Sequence, residues 1–241
     1  MKFSKSYYLS GIIAASLVFL GLTATFPRQV RAGTHKEFLV SLEFPPGPNR
    51  QPPTSTVGAA VRGKTCIVAQ ETKPLTALMS NRDNQTKTIA PNPTFFVYVP
   101  ENNAKTAEFV LQDDKGKEIA LEEVPIGNKS GIFKISLPTS VILEMGKNYQ
   151  WQFSLECESF PKDGNVKLSG EIERVELSAA ARGQLEKAIE PLQQAQVYAA
   201  NNIWQETLTV LANQRCSNPK EWEELLNSVG LADFALEPFV K

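Results

Sequence analysis

Residues 149–157 read YQWQFSLEC, and no other stretch narrows the fold as much. Tyr149, Trp151, Phe153, Leu155 and Cys157 fall on one side of an extended chain, with Gln150, Gln152, Ser154 and Glu156 on the other. A period of two held over this length specifies a half-buried antiparallel strand with one face on a core. A chain built around such strands needs a second apolar layer to cover that face.

The surrounding sequence supplies more strands. TFFVYV (94–99) is apolar on both faces, which suits a central strand covered on both sides. AEFVLQD and KEIALEEV flank Asp114-Lys115-Gly116, a tight hairpin signal. GIFKISL stops at Pro138, and VKLSGEIERVEL follows the Asp-Gly turn of FPKDGN. TCIVAQE, from Thr65, reads as a further strand broken by Pro74. Short strands with recurrent turns predict a sandwich. Leu143, Gly146 and Tyr149 stand as L-x-x-G-x-x-Y just before the best strand. This resembles the tyrosine corner of immunoglobulin-like and fibronectin-type sandwiches, where the hydroxyl bonds back to upstream backbone. Cys157 lies too far from Tyr149 for the antibody-type disulfide.

At Ser178 the texture changes to Ala, Gln, Glu and Leu, good helix formers. Ser178 is placed to cap a first helix, and Pro191 to end or kink it. Asn218, Pro219 and Glu221 read as a capping box with proline at the first helical position, and Gly230 closes that helix. Tyr198, Asn202, Thr207, Leu211 and Pro219 fall on the landmark offsets of one tetratricopeptide unit, although Thr207 and Gln214 replace its small residues. One repeat cannot stack alone, so the expectation is a helical hairpin docked on the sandwich or on a partner.

The expected architecture is therefore α+β. An antiparallel immunoglobulin/fibronectin-like β-sandwich spans 58–177, and a small tetratricopeptide-like helical hairpin region spans 178–241. Before them, Lys2 and Lys5 precede an apolar run from Leu9 to Leu22, with small-residue exits at Val30-Arg31-Ala32 and, less favourably, at Ala24 closer to the run. Residues 1–32 read as a secretory signal peptide, or as an uncleaved signal-anchor. Residues 33–57 read as a Pro-rich linker, carrying Pro45, Pro46, Pro48, Pro52 and Pro53.

Export constrains the chemistry. Lys2, Lys5, Arg28 and Arg31 leave with the signal, so net charge goes from 25 − 26 = −1 to 21 − 26 = −5. A mildly acidic body has no basic footprint for nucleic acid. Of three cysteines, Cys66 and Cys157 sit in expected strands and are the preferred disulfide, while Cys216 follows a helical pattern and is left over.

Gly58, Gly63, Lys64 and Thr65 complete the phosphate-loop string GAAVRGKT. A phosphate loop needs a buried strand before it and a helix after it. Here NRQPPTSTV precedes it and β-branched CIVAQETKP follows, so no nucleotide is expected. The only histidine, His35, lies in the N-terminal tail, and no Cys/His metal spacing exists. Asp113-Asp114 and Glu122-Glu123 fall at turn or edge positions and read as solvated surface. Trp151 reads as core. Trp204 and Trp222 are the candidate partner surface, as aromatic groups on helices.

RGKTC, LTALMS, PTFFVYVPENNAKTAEFVLQDDKGKEI, LEMGKNYQWQFSLEC, VELSAAARGQLEKA, YAANNIWQETLTVLA and WEELLNSVGL occur in that order. Together they resemble the domain-of-unknown-function 928 family, over about residues 58–241. The resemblance implies an exported protein of a family found largely in cyanobacteria. Family members commonly carry an arginine-glycine turn and a cysteine where Arg62-Gly63 and Cys66 stand, and a cysteine matching Cys157. Both agree with the preferred pair, and Cys216 departs from the family pattern. No catalytic residues come with the resemblance.

The functional expectation is a non-enzymatic binding or interaction module of the cell envelope, periplasmic or extracellular, without a cofactor. Its partner is another envelope protein or a glycan, and it meets membrane only through an uncleaved N-terminus. Two alternatives stand beside it: a carbohydrate-binding or hydrolytic protein using an acidic or aromatic cleft, and a membrane-anchored assembly factor.

Overall fold

The computed structural model describes residues 42–45, 66–68, 73–80, 85–157 and 166–240. The expected signal, His35 and the string 58–65 lie outside them, as does most of the expected linker. Among the described residues no helix is long and apolar enough to cross a membrane.

Among the described residues eight strands form two sheets. They are β1 (Thr76–Ala77), β2 (Gln85–Thr88), β3 (Thr94–Val99), β4 (Thr106–Asp113), β5 (Glu118–Pro125), β6 (Gly131–Ser136), β7 (Asn148–Glu156) and β8 (Lys167–Arg174). One sheet has the order β1-β3-β6, the other β2-β8-β7-β4-β5. Four helices follow: α1 (Ala179–Leu185), α2 (Pro191–Ala200), α3 (Trp204–Gln214) and α4 (Pro219–Ser228). The α+β class holds.

The alternation in β7 has its expected consequence. Trp151, Phe153 and Leu155 enter a core with Phe109 and Leu111 of β4, facing Phe95 and Val97 of β3 and Phe133 and Ile135 of β6. The Phe95 ring lies 4.8 Å from Phe109 and 5.7 Å from Trp151, centroid to centroid. The two-faced apolar pattern of β3 is satisfied on both sides. Its other residues, Phe96 and Tyr98, join Leu78 and Ile132 in a second core with Trp204, Leu208, Leu211 and Leu225 of the helices. The order of layers is thus five-stranded sheet, three-stranded sheet, helices.

The β4–β5 hairpin turns where Asp-Lys-Gly predicts it. Gly116 has φ +76°, a left-handed conformation favoured by glycine, and its N–H donates to Asp113 O at 3.0 Å. Ser178 caps α1, its Oγ accepting from Ala181 N–H at 3.1 Å. Pro191 opens α2, preceded by a Glu190/Gln193 capping box. Asn218 corrects one expectation: Pro219 does begin α4, but the Asn218 side chain makes no cap hydrogen bond.

Three further findings differ from the sequence reading. β2 pairs parallel with β8, so the five-stranded sheet is mixed rather than antiparallel. No tight turn joins these two strands, so nothing local dictates their direction. β1 and β2 themselves went unread, because a two-residue strand has no period and QTKT carries no apolar alternation. Leu42 and Phe44, assigned to the linker, are packed: Leu42 is buried in the helical core, and the Phe44 ring meets Trp204 edge-on at 4.9 Å. Proline content marks where a chain avoids regular structure, but it does not forbid single apolar side chains from docking.

Candidate functional site

The side chains that β7 turns away from the core help line a depression on the outer face of the five-stranded sheet. Register sets their neighbours. Glu118, Gln112, Gln150, Glu171 and Gln85 form one row across the strands, and Leu121, Val110, Gln152 and Ser169 the next. Glu123, Glu108, Ser154 and Lys167 form a third. Over the first two rows, and reaching Glu108 of the third, lies a hollow of about 500 Å³, with Gln112, Glu118, Gln150, Gln152 and Glu171 also in its lining. It carries carboxylates, amides and the Ser169 hydroxyl. Each of these groups can form hydrogen bonds with a ligand.

A second hollow, of about 180 Å³, lies where α2 and α3 meet the β2–β3 connection. Its floor is Glu206, which sequence reasoning missed. The carboxylate oxygen Oε1 accepts from Thr88 Oγ1 at 2.7 Å, Ala90 N–H at 2.9 Å and Ile89 N–H at 3.0 Å. Oε2 is buried without a hydrogen-bond partner. Burial pushes the Glu206 carboxyl above the usual carboxylate range, against the pull of its three donors. Tyr198, on the same wall, is held above the usual phenol range by burial and then by the Glu206 charge. The Asn92 amide is spent on the carbonyls of Pro138 and Val141. Glu206 is therefore a clamp from α3 onto the end of β2. No signal in the sequence marks it, since one Glu in the first turn of a helix is ordinary.

The other residues singled out by sequence fall as follows. Cys66 and Cys157 are joined in a disulfide, both buried, and Cys216 is free and exposed. Cys66 stands beside an isolated bridge, Ile67 to Asn102, rather than in a named strand. The Tyr149 hydroxyl accepts from Glu144 N–H at 2.8 Å, Leu143 is fully buried, and Gly146 has φ +73°. Asp113 is a turn residue: its Oδ1 accepts from Lys115 and Lys117 N–H, and the Lys117 bond leads in lowering its pKa. Among the described residues no group of three His, Cys, Asp or Glu could hold a metal ion.

Trp204 and Trp222 correct the expected partner surface. They are 1% and 2% exposed. Their indole N–H groups donate to Leu78 O and Ala235 O, each at 2.9 Å. A large ring with one donor is well placed in a core when a buried carbonyl awaits it. Trp151 is also buried, so none of the three tryptophans offers a stacking platform.

These features define a disulfide-linked α+β protein in which two face-packed sheets carry a helical layer. The chain belongs to the family described as Domain of Unknown Function (DUF928), whose model matches residues 57–239. A search of the curated proteins found no match.

Proposed function

We propose that the protein is an exported cell-envelope binding module, periplasmic or extracellular, that performs no catalysis of its own. The outer face of the five-stranded sheet carries this reading. Glu108, Gln112, Glu118, Gln150, Gln152 and Glu171 surround one hollow, and none of these side chains enters a hydrogen bond or ion pair with another described residue. Unspent donors and acceptors on a rigid sheet are what a recognition surface needs. The Cys66–Cys157 bond supports an oxidising compartment.

The finer fold reading is an immunoglobulin/fibronectin-like sandwich bearing a tetratricopeptide-like hairpin. The Tyr149–Glu144 hydrogen bond supports the first part. The α2–α3 pairing, with Thr207 fully buried, supports the second.

The partner is another envelope protein or a glycan. A second reading, carbohydrate binding or hydrolysis, is favoured by Glu108, Glu118 and Glu171 sharing the hollow with three amides. Burial of all three tryptophans weighs against it, because sugar faces commonly stack on exposed rings.

The test is a crosslinking pull-down from native envelope, with a photoreactive residue at Gln150, run beside a glycan array. The reading expects one captured partner or one glycan class, lost on Gln112→Ala with Gln152→Ala. Capture that ignores these substitutions refutes it. Release of reducing ends from a bound glycan refutes the non-enzymatic part.

A further inference from the structure

Residues Leu42–Pro45 lie against the helical layer in a way that side-chain packing alone does not require. Leu42 N–H donates to Glu224 Oε2 at 3.3 Å, and Phe44 N–H donates to Ser228 Oγ at 3.1 Å. Glu224 and Ser228 stand one turn apart on α4, an axial step of about 6 Å. Alternate N–H groups of an extended chain are about 6.7 Å apart. The helix therefore accepts from alternate N–H groups of the segment, at a spacing close to the repeat of an extended chain. Both acceptors are held in place: Lys220 Nζ lies 3.4 Å from Glu224 Oε1, and Ser228 Oγ donates to Leu225 O at 2.7 Å. Between the two backbone bonds Glu43 is exposed, while Leu42 is 2% exposed and Phe44 sits edge-on to Trp204.

We propose that the helical layer is a peptide-binding groove for extended segments with a large aliphatic residue and an aromatic residue two positions apart, and that Leu42–Pro45 is its tethered resident. Backbone reading by Glu224 and Ser228 supplies affinity without regard to sequence, and the sites of Leu42 and Phe44 supply the pattern. Twenty residues, 46–65, separate the resident from Cys66, enough to reach about 70 Å at full extension. Covalent connection through these residues keeps the segment at its site. It also gives the resident a high effective concentration, so a free segment of the same pattern competes poorly until the resident is weakened. The ligand is an extended apolar segment of a partner protein. This site is independent of the sheet face proposed above.

The probe is a fluorescein-labelled peptide with the sequence of residues 38–47, FLVSLEFPPG, followed by anisotropy on the full chain. Saturable binding is expected to the chain carrying Leu42→Ala with Phe44→Ala, at least tenfold tighter than to the unsubstituted chain. Adding Glu224→Ala with Ser228→Ala, or replacing both apolar positions of the peptide by serine, is expected to abolish it. No binding to the folded double variant, or equal binding to both chains, overturns the proposal. If the double variant loses its near-ultraviolet circular dichroism, the second route applies. A protease site inserted after Gln51 of the otherwise unaltered chain is cut after folding, and the labelled peptide is expected to displace the freed N-terminal fragment. Failure to displace it at hundredfold excess overturns the proposal equally.

Discussion

The indole nitrogen of Trp204 donates to the carbonyl oxygen of Leu78 across 126 residues of sequence, at 2.9 Å. That bond fastens the first residue of α3 to the segment just after β1, inside the core shared by the helices and the three-stranded sheet. It makes Trp204 a structural anchor. Trp204→Phe is expected to leave Leu78 O unpaired in the core at a cost of about 1–3 kcal/mol. Trp204→Ala, which also opens a cavity, is expected to cost about 3–5 kcal/mol. Urea unfolding followed by far-ultraviolet circular dichroism measures both. A midpoint unchanged by Trp204→Ala contradicts the anchor.

The Cys66–Cys157 disulfide closes a loop with a sequence separation of 91. Chain-entropy arguments give about 4–5 kcal/mol for a loop of that size. Cys66→Ser is expected to lower stability by an amount of that order and to abolish the mobility shift between reducing and non-reducing gels. Cys216→Ser, at an exposed free thiol, is expected to do neither. If Cys66→Ser leaves both readouts unchanged, the bond contributes nothing.

Glu206 predicts a pH dependence of definite sign. Its carboxyl is raised in the folded protein, so the folded state holds that proton more tightly than the unfolded chain does. The resulting stability is fully present below the ordinary glutamate range and is lost as pH rises through the raised value. Glu206→Gln keeps an acceptor and removes the titration, so its stability relative to the parent should climb with pH across that window. Glu206→Ala strips the acceptor from Thr88, Ile89 and Ala90 and is expected to cost about 2–4 kcal/mol. Parallel pH profiles for the parent and Glu206→Gln would show that the group does not titrate in this way.

Gly170 lies directly opposite Trp151 in the β7–β8 ladder. A Cβ there would stand 2.7 Å from Trp151 Cζ2 and 2.9 Å from Met79 Sδ. Gly170→Ala is expected to destabilise by about 1–3 kcal/mol through overpacking. The quenching of Trp151 fluorescence is expected to change with it. An alanine tolerated without a shift in melting temperature would mean that the ring yields freely.

The sheet face predicts the opposite separation. Gln112→Ala with Gln152→Ala removes two amides that make no described hydrogen bond, so stability should stay within about 0.5 kcal/mol per site. Partner capture should fall. A large loss of stability would place these glutamines in the structure rather than in recognition.

Much of the architecture was legible because it rests on short-range pattern. The side-chain period of two in β7 assigned its core face, and the apolar run of β3 announced two covered faces. Asp-Lys-Gly set a turn, Ser178 began α1, and Tyr149 stood at the right distance for its bond to Glu144. The candidate sheet face is half visible in the same way: Gln150 and Gln152 fall on the side of β7 opposite its apolar face. What they face across the strands came only with register, because Glu108, Glu118 and Glu171 reach them through pairings that no local signal encodes.

By itself, then, the amino-acid sequence determined which residues turn inward along β7, where α1 and α4 begin, and which two cysteines are worth joining. These follow from backbone period, capping and side-chain polarity, all set within a few residues. Tertiary structure decided the parallel seating of β2 on β8, the Glu206 clamp, the docking of Leu42 and Phe44, and the burial of Trp204 and Trp222. An amphipathic ring or a lone carboxylate suits surface and interior alike. Only the carbonyl or N–H that meets it from a distant part of the chain settles which one it occupies.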